Sequence, residues 1–313
     1  MVVGQIVFCP RKTGSASISR SWARSSGSPT IHTHDLKYLV VTDIKGSMFL
    51  KYVQDNFNKN LSFVNDLDDQ HIEYTIIPRG DLDGIFKFFE SFKIVTSIRH
   101  PLPRRISQFV QDLTLDQVNA VIDSTKTKFG IVVPKIDTKK PIAAADLCKT
   151  LQMMGIGNDC VVLMDAHTYL KTSKTLLTLQ QVSEIFQKRY ITNDTREFSE
   201  FFDCMYAFVM PDFNFADLLS YGHAEQRYTL FGKHVHHELF KLEDLSDPGV
   251  FEVFKEFTGV SELSRDHKSG EGVSICIQPS SVIKEFIGNK FKGIPLSKKG
   301  SLEYNIAKGF GYY

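Results

Sequence analysis

The chain has 313 residues, of which 42% are hydrophobic and 12% aromatic, enough to fill a core and to exclude a disordered, collagenous or coiled-coil protein. Its 37 Lys and Arg residues nearly balance its 36 Asp and Glu residues, so the net charge gives no reason to expect binding to nucleic acid or to a membrane surface. The 5 cysteines lie far apart without a CxxC pair, which favours reduced thiols over a disulfide framework or a cysteine zinc site.

The N-terminal segment, residues 1–8, enters an apolar stretch without a preceding basic region. The chain also contains no apolar run of about 18 residues or more. A signal peptide has a basic region before its apolar stretch, and a membrane-spanning helix has an apolar run of about that length. We therefore expect a cytoplasmic protein with no stable membrane insertion.

Strand-like and helix-like segments alternate from the N-terminus to Ile98. We predict strands over 5–9, 30–36, 73–77 and 93–98, helices over 18–26, 44–57 and 81–92, and a polar connection over 58–70. Such alternation indicates a parallel sheet covered by helices.

The rest of the chain is predicted to be mostly helical until two further strands appear. A helix follows Pro101, the segment 115–225 has mainly helical spacing, strands are predicted over 228–231 and 236–242, and a helix over 248–257. We predict a single α/β domain over 1–313, with a central, mainly parallel sheet flanked by helices and a helical insertion over about 115–225.

The loop after the first strand, residues 10–17, has the features of an anion site. A turn rich in Gly and Ser at a helix N-terminus offers backbone N–H groups to an anion, and Lys12 adds a positive charge. The Walker A pattern is not met, because Lys12 precedes Gly14 and Val7 stands where the first glycine would be. The alternative is an ordinary glycine turn with surface Arg and Lys side chains.

A second candidate anion site follows the strand 93–98. Arg99 comes directly after this strand, and Ser107 follows on the next helix. If the two strands are neighbours, Arg99 and Ser107 can hold a second phosphate. The alternative is a surface salt bridge for Arg99 and an ordinary helix position for Ser107.

Together these segments resemble the cofactor motifs of PAPS-dependent sulfotransferases. Residues 10–17 resemble the 5′-phosphosulfate loop, residues 98–107 resemble the 3′-phosphate motif, and residues 240–245 are similar to a late family segment that ends in Glu-Asp-Leu. The resemblance implies a P-loop-like sheet, PAPS as the sulfuryl donor, PAP as the product, no metal, and an insertion that forms the acceptor wall. The implied cofactor-binding residues are Arg11, Lys12, Thr13, Gly14, Ser15, Ala16, Ser17, Arg99 and Ser107.

The loop departs from the family pattern at two positions. Arg11 stands between the expected proline and lysine, and Ala16 stands where the family commonly has a hydroxyl residue. Ser15 or Ser17 must therefore supply the hydroxyl for the 5′-phosphate.

Two histidines follow the helix that the loop opens. His32 and His34 lie at i and i+2, so they share one face of a strand. Residues 31–34 resemble the paired-histidine segment of glycan O-sulfotransferases, which implies a carbohydrate-type acceptor such as a polysaccharide. We assign Lys12, His32 and His34 as catalytic residues, with His34 as the base and His32 orienting it or the sugar. The alternatives are a structural pair or half of a metal site.

Two further groups of residues have open interpretations. His234, His236, His237 and Glu238 can form a metal site, an acceptor site or a solvated strand edge. Aromatic residues over 198–215 can stack on sugars or pack in a core.

The sequence therefore predicts a sulfotransferase that moves a sulfuryl group from PAPS to a hydroxyl group by in-line displacement. Its expected partners are the nucleotide donor and a glycan acceptor, and no nucleic acid. Two alternatives remain: a nucleotide-dependent kinase with a degenerate phosphate loop, and a non-catalytic nucleotide- or glycan-binding module.

Overall fold

The computed structural model of the chain describes residues 3–34, 39–44, 47–57, 62–65, 71–76, 82–130, 133, 135–137, 143–153, 161–173, 175–192, 215–230, 232–263 and 274–313. The chain groups into two compact units. Unit 1 comprises residues 1–100, 196–267 and 305–313, and unit 2 comprises residues 101–195 and 268–304.

The described residues of unit 1 form one sheet of eight strands. The strands are β1 (Val3–Phe8), β2 (Thr30–Thr33), β3 (Leu39–Ile44), β4 (Ser62–Asn65), β5 (His71–Ile76), β6 (Ser91–Ile98), β7 (His223–Leu230) and β8 (Lys233–Lys241). Their order across the sheet is β4-β5-β3-β2-β1-β6-β8-β7. The N-terminal strand therefore lies in the interior of the sheet.

The direction of pairing divides the sheet into a parallel centre and antiparallel flanks. β1 pairs in parallel with β2 and β6, and β6 pairs in parallel with β8. The pairs β2–β3, β3–β5, β4–β5 and β7–β8 are antiparallel. The prediction of an α/β protein with helices on a sheet is confirmed, whereas a mainly parallel sheet describes only the four central strands, and the whole sheet is mixed.

Helices cover both faces of this sheet because alternate residues of each strand point to opposite faces. On one face, Val7 and Val95 pack with α1 (Ser15–Ser26) and α10 (Pro248–Thr258) in a core that includes Trp22. On the other face, the core includes residues of β1, β3 and β6 together with α2 (Met48–Phe57), α3 (Leu82–Lys87) and α9 (Phe215–Tyr221). An aromatic cluster, Phe49, Phe86, Phe88, Phe89 and Phe92, fills part of this second core.

The predicted elements differ from the observed ones mainly between residues 35 and 70. β3 lies between the predicted strand and the predicted helix, and β4 lies inside the segment that we predicted to be a polar connection. β4 is an edge strand of four residues, too short to show a periodic apolar pattern. β3 begins only three residues after the predicted strand 30–36, with no Gly or Pro to separate the two. α2 also begins at Met48, four residues later than predicted.

Unit 2 is helical and has a core of its own. Its helices are α4 (Pro101–Asp112), α5 (Leu115–Phe129), α6 (Ala144–Met153), α7 (Val161–Ser173), α8 (Leu179–Phe186), a π-helix (Gln187–Thr192) and α11 (Ser280–Lys290), with α12 (Leu302–Gly309) beginning at its end. Phe109 and Phe186 meet in this core with ring centroids 5.3 Å apart. Within the predicted insertion over 115–225, helices α5 to α8 and the π-helix belong to unit 2 and α9 belongs to unit 1. Unit 2 also includes α4 and residues 268–304, which the sequence did not assign to it.

The single-domain organisation remains a prediction.

Among the described residues, no helix has the length and apolar character needed to cross a lipid bilayer.

A buried chain of hydrogen bonds links four strands of unit 1. Thr96 Oγ1 donates to the Phe8 carbonyl at 2.8 Å and lies 2.9 Å from His237 Nε2. Since its one proton is used on Phe8, Thr96 accepts from Nε2–H, and His237 Nδ1 then accepts from Tyr228 Oη at 3.2 Å. Burial lowers the pKa of His237 to about 3, consistent with this neutral ring.

We expect Thr96→Val to destabilise the fold because it leaves the buried Nε2–H of His237 without its acceptor. The free energy of unfolding should fall by about 1 to 3 kcal/mol, measured by urea denaturation. Thr96→Ser, which keeps the hydroxyl, is the control and should lose less. Equal losses in the two variants would show that the methyl group of Thr96, not its oxygen, supports the fold.

Candidate functional site

The ends of the parallel strands create the candidate site. β1, β2, β6 and β8 all run in the same direction, so the residues that follow Phe8, Thr33, Ile98 and Lys241 emerge at the same edge of the sheet. Ligands of α/β sheets bind outside the carboxyl ends of the strands, at the place where the chain connections diverge to opposite sides. Here the chain proceeds from β1 to β2 on one side, and β6 and β8 lie on the other.

The loop between β1 and α1 has an unusual backbone conformation. Lys12 has φ 66°, in the left-handed region that residues with a Cβ seldom adopt, and Gly14 follows with φ 77°. α1 begins at Ser15 with Gly14 as its N-cap, so no side chain caps the first N–H groups of the helix. The loop thus presents the backbone N–H groups of Ser15, Ala16 and Ser17 together with the positive end of the helix dipole.

The backbone angle at position 14 and one close contact explain why this residue is glycine. Its positive φ disfavours any residue with a Cβ, and a Cβ there would lie 2.9 Å from Leu242 Cδ1. Leu242 is itself held by its backbone N–H, which donates to the Ile98 carbonyl at 2.8 Å. The end of β8 therefore packs directly on the turn of the loop.

Hydrogen bonds with Ser97 of β6 hold the loop in place. Ser97 Oγ donates to the Thr13 carbonyl at 2.5 Å, and Thr13 Oγ1 donates to the Pro10 carbonyl at 2.7 Å. Cys9, at the start of the loop, is buried, its Sγ accepts from the backbone N–H of Ser97 at 3.1 Å, and desolvation raises the pKa of its thiol to about 11. The Thr13 hydroxyl and the Cys9 thiol thus hold the loop in shape.

The two predicted histidines contact this loop. His32 Nε2 lies 2.9 Å from Ser15 Oγ, and His34 Nδ1 lies 2.7 Å from the Cys9 carbonyl. The two imidazole rings meet edge to face with centroids 4.6 Å apart. The parallel pairing of β1 with β2 brings these residues together, since Val7 is in register with His32.

The surroundings of the two rings indicate where their protons lie. A carbonyl oxygen only accepts, so His34 Nδ1 carries a proton, and the neutral form of this ring has its lone pair on Nε2. Burial, and then the charges of His34 and Arg20, lower the pKa of His32 to about 3, so His32 is neutral at physiological pH. A neutral His32 ring therefore lies beside the loop, and the His34 ring is oriented by its Nδ1 contact with the Cys9 carbonyl.

Arg99, the predicted ligand of the 3′-phosphate, directly follows β6. Its Nε lies 3.9 Å from Glu243 Oε1, and the same oxygen accepts from the backbone N–H of His100 at 3.0 Å. The Tyr312 ring packs on His100 with centroids 5.2 Å apart, and its hydroxyl lies 3.4 Å from Glu243 Oε2. Arg99 is 31% exposed, so its guanidinium is accessible to a ligand.

The remaining predicted ligands occupy varied environments. Arg11 is exposed, and Lys12, Ala16 and Ser17 are partly buried. Ser107 lies on α4 of unit 2, where it is 8% exposed, and its action together with Arg99 remains a prediction. Of the aromatic segment 198–215, only Phe215 lies within the described residues.

Some residues that shape the site were not identified from the sequence. Ser97 and Cys9 were read as parts of strands, although both contact the loop. Tyr312 packs on His100 in the structure but lies more than two hundred positions from it in the chain, and its only sequence signal is an aromatic pair at positions 312–313.

Comparison with protein-family models, with curated protein sequences and with solved structures returned no match to this chain. The function is therefore argued from the residues and their geometry.

We expect His32→Gln to reduce the acid sensitivity of the fold. The pKa of His32 is about 3 in the folded chain against 6.5 ordinarily, so below pH 6.5 the unfolded chain binds a proton that the folded chain does not. Wild-type stability is thus unaffected by this group above that pH and declines as the pH falls below it. Between about pH 7 and pH 5 the wild type should lose about 1 to 2 kcal/mol more than the variant, measured by urea denaturation.

The control is His234→Gln, which removes an exposed histidine of β8. This variant keeps His32, so its loss of stability between about pH 7 and pH 5 should remain larger than that of His32→Gln. If His32→Gln also behaves like the wild type, the His32 ring is solvated enough to titrate normally and its buried, neutral state is wrong.

Proposed function

We propose that the protein is a sulfotransferase that moves a sulfuryl group from PAPS to a hydroxyl group of a carbohydrate-type acceptor. The observation that carries this proposal is the contact between the histidine pair and the anion loop, through Ser15 with His32 and Cys9 with His34. An anion-binding loop and a candidate base within hydrogen-bond reach of it are the two parts that such a transfer needs.

The loop would hold the 5′-phosphosulfate of the donor. The N–H groups at the start of α1 face an anion favourably, and Lys12 adds charge where the bridging oxygen becomes a phosphate oxygen. Ser17 is the better candidate for the hydroxyl contact, because Ser15 is 5% exposed and its Oγ already lies near His32. Thr13 would contribute through its backbone, since its side chain is fully buried.

His34 is the better candidate for the base. Its Nδ1–H is fixed on the Cys9 carbonyl, so Nε2 can accept the proton of the acceptor hydroxyl. The acceptor oxygen then forms a bond to sulfur, the bond from sulfur to the phosphate oxygen breaks with its electron pair, and PAP leaves. His32 would orient His34 and Ser15 as a neutral ring without exchanging a proton itself.

Arg99 would recognise the 3′-phosphate that distinguishes PAPS from other adenine nucleotides. β6 is the neighbour of β1, so Arg99 emerges at the same sheet edge as the loop. Its contact with Glu243 is long, at 3.9 Å, and partly exposed, so a phosphate can displace it at little cost. Ser107 is proposed as the second ligand, as the resemblance implies.

A melting panel tests the cofactor. A ligand that binds only the folded state raises the melting temperature, so PAP should stabilise the chain more than ADP or ATP with or without magnesium. Selective stabilisation by ATP with magnesium would favour the kinase alternative instead. Binding of PAP without transfer to any glycan acceptor would favour the non-catalytic module.

We expect Arg99→Ala to lower the affinity for PAP about tenfold or more, because a charge-assisted hydrogen bond to an anion contributes about 1.5 to 3 kcal/mol. Binding of AMP, which lacks the 3′-phosphate, should be nearly unchanged; calorimetry measures both. Arg99→Lys, which keeps the charge but not the planar fork, should fall between wild type and Arg99→Ala. Equal losses for the two nucleotides would remove Arg99 from 3′-phosphate recognition.

We expect His34→Ala to lower the transfer rate by about 10² to 10⁴ while PAP affinity stays nearly constant, because a base acts on the acceptor and not on the nucleotide. Rates are measured with the glycan acceptor that the wild type sulfates. His32→Ala is the matched comparison and should lose less. Wild-type turnover in His34→Ala would overturn its assignment as the base.

A further inference from the structure

A second cluster of polar side chains lies on the hairpin of β7 and β8, at the far side of the sheet from β2. In the antiparallel register Glu225 is directly opposite Glu238, and Arg227 is opposite His236. Alternate residues share a face, so His223 lies on the same face as these four residues. This face also carries Phe240, which packs against α10.

Three of these side chains converge on one point. His236 Nε2 lies 2.8 Å from Glu225 Oε1 and 3.4 Å from Glu238 Oε1. One donor atom from each of the three residues lies within 4.8 Å of the others. Donors that share a metal ion at about 2.0 to 2.2 Å are separated by about 3 to 3.5 Å, so the group needs only a small closure to coordinate one ion.

The charges around Glu238 favour a cation. Its side chain is only 5% exposed, it faces a second carboxylate, and its contacts are to the imidazoles of His236 and of His223, whose Nδ1 lies 3.4 Å from Glu238 Oε2. A buried carboxyl group is stable either in its protonated form or beside a compensating positive charge, which a metal ion would supply. Arg227 places its Nε on Glu225 at 2.7 Å, with its side chain 73% exposed.

Neighbouring elements position the His236 ring, and the Glu225 oxygen that contacts His236 also accepts from the exposed Arg227 Nε, which a bound cation would displace. The His236 ring packs edge to face on Phe257 of α10, with centroids 4.7 Å apart. Lys93 of β6 donates to the Phe257 carbonyl at 2.8 Å, so its charge is held against α10. Glu225 is 42% exposed, which leaves solvent access for water to complete a coordination shell.

We propose that Glu225, His236 and Glu238 bind a divalent transition-metal ion, with His223 as the residue that orients Glu238. Mixed carboxylate and imidazole donors suit Zn²⁺ and Mn²⁺. Such an ion links β7, the edge strand of the sheet, to β8. The proposal does not depend on the transfer reaction, because these residues lie on the hairpin and not at the ends of β1, β2 and β6.

The test uses the full chain, stripped with a chelator and then titrated with Zn²⁺ or Mn²⁺ in competition with a chromophoric chelator. The wild type should bind about one ion per chain, and the bound ion should raise its melting temperature. Glu225→Gln, His236→Ala and Glu238→Gln should each weaken binding more than about 100-fold, and His223→Ala about 10- to 100-fold, as expected for an orienting contact.

The matched control is His234→Ala, since His234 is an exposed histidine two positions from His236 on the same strand. It should bind the ion like the wild type. If Glu238→Gln fails to fold, Glu225→Gln decides, because the exposed Glu225 can be changed without opening the core. Absence of stoichiometric binding by the wild type, or equal losses in His234→Ala and His236→Ala, would overturn the proposal.

Discussion

The parallel pairing of β1 with both β2 and β6 is the constraint on which the candidate site depends. It sets Val7 beside His32 on one side and beside Val95 on the other. The loop after β1 therefore receives the histidine pair from one neighbour and the Ser97 hydroxyl from the other. Each of these contacts joins residues that are distant in the chain, and one register error in either pair would turn the contributing side chains to the opposite face.

Burial keeps two histidines of unit 1, His32 and His237, neutral at physiological pH. Desolvation is the largest cause that lowers the pKa of both His32 and His237 to about 3. A neutral imidazole has one donor and one acceptor nitrogen, so each ring can join a hydrogen-bond chain of definite direction. Thr96 and Tyr228 complete such a chain through His237, and Ser15 lies at the corresponding position for His32. The same residue type thus serves both the core and the site.

Local signals in the sequence were sufficient for the parts of the fold that depend on local patterns. Gly14 at a strand-to-helix turn and the i, i+2 spacing of His32 and His34 predicted the loop and the shared face. β4 was missed because a four-residue edge strand is too short to show apolar periodicity, and β3 was missed because no Gly or Pro separates it from the predicted strand before it. The contacts of Ser97 and Leu242 with the loop depend on the strand order, which one sequence does not encode locally.

The interior position of β1 also means that this strand is synthesised before the strands that pair with it. β1 is synthesised first, but β6 is completed only at Ile98 and β8 only at Lys241. Until β6 emerges, the N–H and C=O groups along one side of β1 have no strand to pair with, and an open strand edge promotes association between nascent chains. Because Leu242 packs on Gly14, the loop between β1 and α1 also cannot reach its final shape until Leu242 has been translated.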